Sequence, residues 1–226
     1  MEPIDKGRKM RRIETHPTDP NAIFHHHLQR RDPYAGIVAR YRPILRRISD
    51  ATGDSVFLVA RRGSESLCVH REVGRYPVQV LVVTKGHRQP LGVGAAGLAL
   101  LASLPADQAE SVIEKNRPDL VLYGDMTALQ LAGLVEETRR RGWASLGNTA
   151  VPGALGVGMA WREAGGRIRL AVSVASVVDR MPLHRQQRIV DLLRTQLGLR
   201  NTLPAMTPFP ATASGHFDLA GPDIAI

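Results

Sequence analysis

The chain has 226 residues, 43% of them apolar, which is enough to bury the core of one large domain or two small ones. Its 30 Lys and Arg residues against 21 Asp and Glu give a net charge of +9, which fits a polyanionic partner without identifying one. The longest apolar run is shorter than the roughly 20 residues that span a bilayer, and the N-terminus lacks the apolar segment of a secretory signal. We therefore expect a cytoplasmic protein with no membrane partner.

Residues 1–32 are polar and basic, contain three prolines and show no apolar period, which predicts a flexible arm. The consecutive histidines His25, His26 and His27 would point in different directions on a helix, and no acidic or Cys partner is near them. Cys68 is the single cysteine of the chain, so it has no second thiol for a disulfide or a metal. We predict neither a metal nor a cofactor.

Residues 33–51 are predicted to form an amphipathic linker helix. Ile37, Tyr41, Ile44 and Ile48 recur at spacings of three and four residues, and arginines fall between them. Beyond this helix, alternating and β-branched runs predict strands at 55–61, 67–71 and 78–84, with the first two forming a hairpin.

Residues 87–104 form a Pro- and Gly-punctuated turn followed by an almost purely apolar helix. Small residues at the start of this helix, among them Gly94, Ala95 and Ala96, leave its first N–H groups uncovered. Such a helix start can bind a small anion. The alternative is that the glycines only allow the helix to pack closely on a sheet.

The rest of the chain alternates helices and strands. A helix from 105 to about 115 is predicted to break at Arg117-Pro118, and a second one is predicted to begin at Asp125 or Thr127 and to end before Gly142. Strands are predicted at 155–161 and 168–174, joined by a hairpin at 163–166, with a last amphipathic helix opening at 179–182. Residues 202–226 are predicted to be a loose Pro-rich tail.

This order of elements predicts an α+β fold: an antiparallel sheet with helices packed on its faces, preceded by the linker helix. In such folds a ligand typically lies in a cavity between one face of the sheet and the segments above it.

Six segments of the sequence, in this order and spacing, resemble the effector-binding domain of the IclR family of bacterial transcriptional regulators. The resemblance covers roughly residues 35–200, and the domain itself is expected at 52–201. The segments are TGDSV at 52–56, CVHR at 68–71, GHRQPL at 86–91, GAAGLALLA at 94–102, RRGW at 140–143 and AVSVA at 171–175. The resemblance implies a GAF-like fold, a small organic acid as effector, a homodimer or tetramer, and control of transcription.

By position, the resemblance implies that the amides after Gly94 receive the effector's carboxylate. The implied ligand-binding residues are Gly94, Ala95, Ala96, Leu146, Ala154, Gly156, Ser173 and Ala175. Gly156 and Ala175 stand where the family often has polar or sulfur side chains and a second serine. An aromatic or otherwise hydrophobic acid is therefore expected rather than a small hydroxy acid, and loss of the effector response remains an alternative.

In the IclR family a winged helix-turn-helix precedes the effector domain, whereas an independent domain needs about 55–65 residues and only residues 1–32 precede the linker helix here. We expect this DNA-reading head to be absent, so that DNA is contacted only through the basic arm or a partner chain. One alternative is a stand-alone metabolite-binding and oligomerisation module that uses the apolar stripe of the linker helix. A small enzyme is the least favoured alternative, because the sequence holds no nucleophile elbow, P-loop or zinc spacing.

Overall fold

The computed structural model describes residues 32–163 and 169–199. The predicted tail, most of the predicted arm with its three histidines, and part of the predicted hairpin at 163–166 lie outside the described residues. The contacts divide the chain into Met1–Gly36 and Ile37–Ile226. In the first unit, Asp32 accepts backbone N–H bonds from Tyr34 through its side chain and from Ala35 through its carbonyl, as is common where a helix begins.

The described residues form five α-helices and six strands. In chain order these elements are α1 (Ala35–Thr52), β1 (Ser55–Arg62), β2 (Glu65–Glu72), β3 (Arg88–Pro90), α2 (Gly94–Ala102), α3 (Ala106–Leu120), α4 (Ala128–Arg141), β4 (Ala144–Gly147), β5 (Ala154–Arg162), β6 (Arg169–Val177) and α5 (Leu183–Leu197). The strands form one sheet in the order β3-β2-β1-β6-β5-β4. Each neighbouring pair is antiparallel, so the predicted α+β class is confirmed.

Side chains alternate between the two faces of this sheet. On the face that we call inner, Phe57, Val59 and Ala171 join one apolar cluster with α2, α3 and α4. The opposite, outer face is covered by α1 and α5. Helix α2 is the centre of the fold, because every residue from Ala95 to Ala102 is buried between the sheet and α4.

The C-terminal half of the apolar stripe of α1 packs against the domain that follows it, whereas Ile37 and Ile44 are only half-buried. Leu45 and Ile48 are completely buried in the domain's own core. Tyr41 packs edge-on against Trp161 of β5 with ring centroids 5.3 Å apart, and the Trp161 Nε1–H donates to the Tyr41 hydroxyl at 3.2 Å. The C-terminal half of the stripe is thus used within the domain.

The strand predicted at 78–84 is wrong, since this segment joins no sheet and the third strand is Arg88–Pro90. Hydrogen bonds from side chains hold this segment in place of the backbone bonds that a neighbouring strand would supply. The Arg71 guanidinium donates to the carbonyls of Leu81 and Val83 at 3.2 and 3.0 Å, and Gln79 binds Ser55 and the carbonyl of Gly53.

Two further boundaries differ from the sequence predictions. Helix α3 runs through Pro118 to Leu120, because the buried Asn116 donates to the carbonyls of Ser64 and Leu91 and Leu120 is fully buried. Strand β4 was not predicted, since its four residues are too few to show a period. It is recognisable only through its pairing with β5.

A buried carboxylate joins the end of α1 to the start of α5. Asp54 is 1% exposed, and its Oδ1 accepts from the Ser176 hydroxyl at 2.9 Å and from Arg180 Nη1 at 2.7 Å. Its Oδ2 accepts from Arg185 Nη2 at 2.7 Å, and the same nitrogen also donates to the carbonyl of Thr52. Both oxygens are therefore satisfied, which makes burial of this charge tolerable.

We expect Asp54→Asn to lower the free energy of unfolding by about 3 kcal/mol, because Arg180 and Arg185 lose their carboxylate in a site that excludes water. Urea denaturation followed by circular dichroism measures this. The matched control is Asp50→Asn, which removes an exposed 3.6 Å pair with Arg75 and should cost less than about 1 kcal/mol. Equal losses in the two variants would contradict a structural role for the buried cluster.

Candidate functional site

The N-terminal end of α2 lies directly on two glycines of β5. A Cβ at Gly158 would stand 2.9 Å from the carbonyl carbon and oxygen of Ala95 and 3.1 Å from the amide nitrogen of Ala96. A Cβ at Gly156 would stand 3.1 Å from the Cβ of Ala95. These distances show the close packing that the sequence analysis raised as one alternative.

The turn that leads into α2 also requires glycine. Gly92 has φ of +110° and Gly94 has φ of +68°, a region that other residues rarely adopt. A Cβ at Gly92 would come within 2.8 Å of a methyl group of Leu131 in α4. The turn thus fixes where the first amides of α2 point.

These first amides have no cap. Val93 precedes the helix with extended backbone, and no side chain of the described residues caps the helix start. The first N–H groups of a helix have no partner within it and carry its positive partial charge. This end of α2 therefore presents donors that suit an anion.

Strand pairing brings the predicted wall residues onto the same face. Leu146 of β4 is opposite Gly156, Gly156 is opposite Ala175 of β6, and Gly158 is opposite Ser173. Opposite residues in an antiparallel pair project to the same side, and contact with Ala95 identifies that side as the inner face. All eight predicted residues therefore gather at one end of the inner face, where Ala154 begins β5.

Burial differs among these residues. Four are buried and four are half-buried, so the cluster has a closed side and a more open side. The buried residues are Ala95, Ala96, Leu146 and Ser173, and the half-buried ones are Gly94, Ala154, Gly156 and Ala175.

Ser173 is the polar side chain of this cluster. The residue is 7% exposed, and its hydroxyl forms none of the hydrogen bonds found among the described residues. Ser176 on the same strand differs, since its hydroxyl donates to Asp54. The fully buried side-chain atoms without a partner among the described residues are Thr138 Oγ1, Arg141 Nε and Arg194 Nε. The Ser173 hydroxyl is not one of them, so it is accessible and can meet a polar atom of a ligand.

The sequence analysis missed two residues of this site. Gly158 was not named. The signal was present, because glycines at alternate positions of a strand, here Gly156 and Gly158, often mark a place where another backbone packs closely on that strand. Phe57 is buried and lies opposite Ser173. Only the pairing of β1 with β6, which are far apart in the sequence, reveals its place.

A polar groove of about 620 Å³ lies elsewhere, between the end of α3 and the β1–β2 turn. It contains none of the eight predicted residues. Its buried polar group, Asn116, already donates to two backbone carbonyls. We therefore place the candidate site at the start of α2.

The described residues hold no catalytic or metal centre of the kinds considered above. No group of three or more His, Cys, Asp or Glu side chains among them could hold a metal ion. Cys68 lies in the apolar core, where burial raises the pKa of its thiol to about 11. None of the helices in the described ranges is both long and apolar enough to cross a bilayer.

We expect Gly158→Ala to lower the free energy of unfolding by about 1–3 kcal/mol, because the added methyl group meets the backbone of α2 rather than a flexible side chain. Urea denaturation measures the loss. Gly133→Ala is the matched control: its Cβ meets nothing within 4 Å on α4, so the better helix former should add up to about 1 kcal/mol. Unchanged stability in Gly158→Ala would contradict the direct contact.

Cys68 should resist alkylation in the folded protein. With a pKa of about 11, only about one thiol in ten thousand is the reactive thiolate at pH 7, and the fraction rises as the pH approaches that value. Labelling by iodoacetamide at pH 8, followed by mass spectrometry, should be slow in buffer and fast in urea. Rapid labelling of the folded chain would contradict the burial of this thiol.

The comparisons with known proteins agree with the fold. The family model described as the bacterial transcriptional regulator IclR C-terminal domain matches residues 32–197. In fold, the chain is similar to the Thermotoga maritima IclR, with 21% identity and a TM-score of 0.66 over 78% of this chain and 70% of that one. It is similar to the Agobacterium tumefaciens repressor BlcR, with 20% identity and a TM-score of 0.62 over 79% of this chain and 70% of that one.

A third similar structure is described as the effector domain of an IclR regulator from Acinetobacter sp. ADP1, with 14% identity and a TM-score of 0.61 over 73% of this chain and 96% of that one. No curated protein matches the sequence. The family model covers well over half of the 226 residues. The chain therefore belongs to the IclR family of bacterial transcriptional regulators, and its described part is a regulatory effector domain.

Proposed function

We propose that this domain senses a small, largely apolar organic acid and controls transcription in response. The single observation that carries the proposal is that the uncapped amides at the start of α2 lie over the strand pair of Gly158 and Ser173, whose hydroxyl makes no hydrogen bond among the described residues and is not sealed from solvent. The acid's carboxylate would accept hydrogen bonds from the amides of Ala95 and Ala96 and from this hydroxyl. Bonds from such donors to an ionised acceptor are stronger than neutral ones.

The rest of the site supports an apolar body for this acid. Phe57 and Leu146 supply apolar surface, and Gly156, Ala154 and Ala175 supply little side chain at all. No polar side chain stands opposite Gly156 on β4 or β6, since its partners are Leu146 and Ala175. A hydroxyl group on the ligand would find few partners here, so an aromatic or aliphatic acid fits better than a hydroxy acid.

The wider roles belong to the same proposal. We infer that the protein works in the cytoplasm as a homodimer or tetramer and reaches DNA through the basic residues of 1–31 or through a partner chain. This inference is supported by the net positive charge of the sequence and by its membership of a family of regulators. Phosphate contacts made by a basic arm would weaken steeply with salt.

Thermal-shift measurements with benzoate, phenylacetate and medium-chain fatty acids test the site, each beside its uncharged amide. Acids should raise the midpoint of unfolding and amides should not, because only the carboxylate is drawn to the positive end of α2. Ser173→Ala should weaken binding of the acid about tenfold and leave the unliganded midpoint unchanged.

Ser176→Ala is the matched control, since it removes a hydroxyl that already has a partner in Asp54. It should lower the unliganded midpoint and keep the response to the acid. The proposal is overturned if acids and amides shift the midpoint equally, if no acid shifts it, or if Ser173→Ala responds like the wild type.

A further inference from the structure

Three arginines lie side by side at one end of the sheet. Arg162 of β5 is directly opposite Arg169 of β6, and Arg61 of β1 follows the last pair between β1 and β6, Ala60 with Leu170. By strand alternation the three share the inner face with Val59 and Ala171. We infer that Arg61, Arg162 and Arg169 form an anion-binding site, separate from the proposed effector site, that takes a phosphate group.

The row formed by Arg61, Arg162 and Arg169 has no acidic partner in the part of the chain that the structure describes. None of the ion pairs there involves Arg61, Arg162 or Arg169. Like charges placed directly opposite each other on neighbouring strands destabilise a sheet. Burial, together with the charges of Arg162 and Arg61, lowers the pKa of Arg169. The row is thus an uncompensated concentration of positive charge.

The carbonyls at the C-terminal end of α2 bind one arginine of this row, Arg169, but not the other two. Arg139 donates to the carbonyls of Ala102 and Leu104 at 3.1 and 2.8 Å, and Arg169 Nη1 donates to the carbonyl of Ser103 at 2.6 Å. These two arginines already serve the negative end of the helix. Among the hydrogen bonds of the described residues, none joins Arg61 or Arg162 to these carbonyls.

Most of the guanidinium donors in the row remain available. A guanidinium has five N–H donors. Arg61 uses Nε on the carbonyl of Gly63 at 2.9 Å, Arg169 uses Nη1, and Arg162 makes none of the hydrogen bonds found among the described residues. Adjacent strands are about 4.8 Å apart, so two neighbouring forks can grip the oxygens of one phosphate.

Phosphate fits this row better than a carboxylate. Three cations are balanced more fully by a group with two or more negative charges, and arginine forks match phosphate oxygens in pairs. The phosphate could belong to a phosphorylated small molecule or to a DNA backbone. The site lies at the C-terminal end of α2, whereas the proposed effector site lies at its N-terminal end, so neither depends on the other.

Calorimetric titration of the full chain with pyrophosphate, at fixed ionic strength, tests the inference. Arg162→Gln should weaken pyrophosphate binding about tenfold. Without a ligand it should unfold at the same temperature as the wild type or higher, because a repulsion has been removed. The matched control is Arg46→Gln, which removes an exposed arginine of α1 and should leave pyrophosphate binding unchanged. Arg61→Gln repeats the test independently.

Short duplex DNA in place of pyrophosphate distinguishes the two sources of phosphate. Loss of duplex binding in Arg162→Gln, but not in Arg46→Gln, assigns the phosphate to DNA, and binding of pyrophosphate alone assigns it to a small molecule. The inference is overturned if both arginine variants bind pyrophosphate as the wild type does, or if Arg162→Gln lowers the unliganded midpoint. Neither result bears on the response to carboxylic acids.

Discussion

The direct contact between the start of α2 and the glycines of β5 is the constraint on which the rest of the structure depends. Because Gly156 and Gly158 have no side chains, an apolar helix can lie on the sheet at backbone distance. That helix is then buried along nearly its whole length, and α3 and α4 pack around it. The candidate binding site lies at this same contact, so the small residues of β5 belong both to the packing and to the candidate site.

The two ends of this buried helix explain the distribution of polar groups on the inner face. At the positive end lie the first amides of α2 and the hydroxyl of Ser173, and none of the eight residues of the candidate site is acidic. At the negative end Arg139 and Arg169 bind the carbonyls of Ala102 and Ser103. The helix dipole therefore meets arginine side chains at its negative end and no side-chain cap at its positive end.

The buried cluster at Asp54 holds the outer layer in place. It joins the end of α1 to α5 and to the short 3₁₀ helix Val178–Arg180 that precedes α5. Tyr41 and Trp161 join α1 to β5. Both helices of the outer face are therefore tied to the same sheet whose inner face carries the site.

Taken alone, the sequence determined the central helix and the α+β class, because a long apolar run with glycines at its start is stable only when buried, and period-two runs predict strands. The residues around Ala95 were named through the resemblance to the IclR family, and strand pairing shows which of them share a face. It did not determine the place of 78–84, where Arg71 and Gln79 replace a ladder partner, or the existence of β4. The meeting of Arg61 with Arg162 and Arg169, and of Phe57 with Ser173, was decided by tertiary structure alone. These contacts follow from the register between strands about a hundred residues apart in the chain, and no local pattern encodes that register.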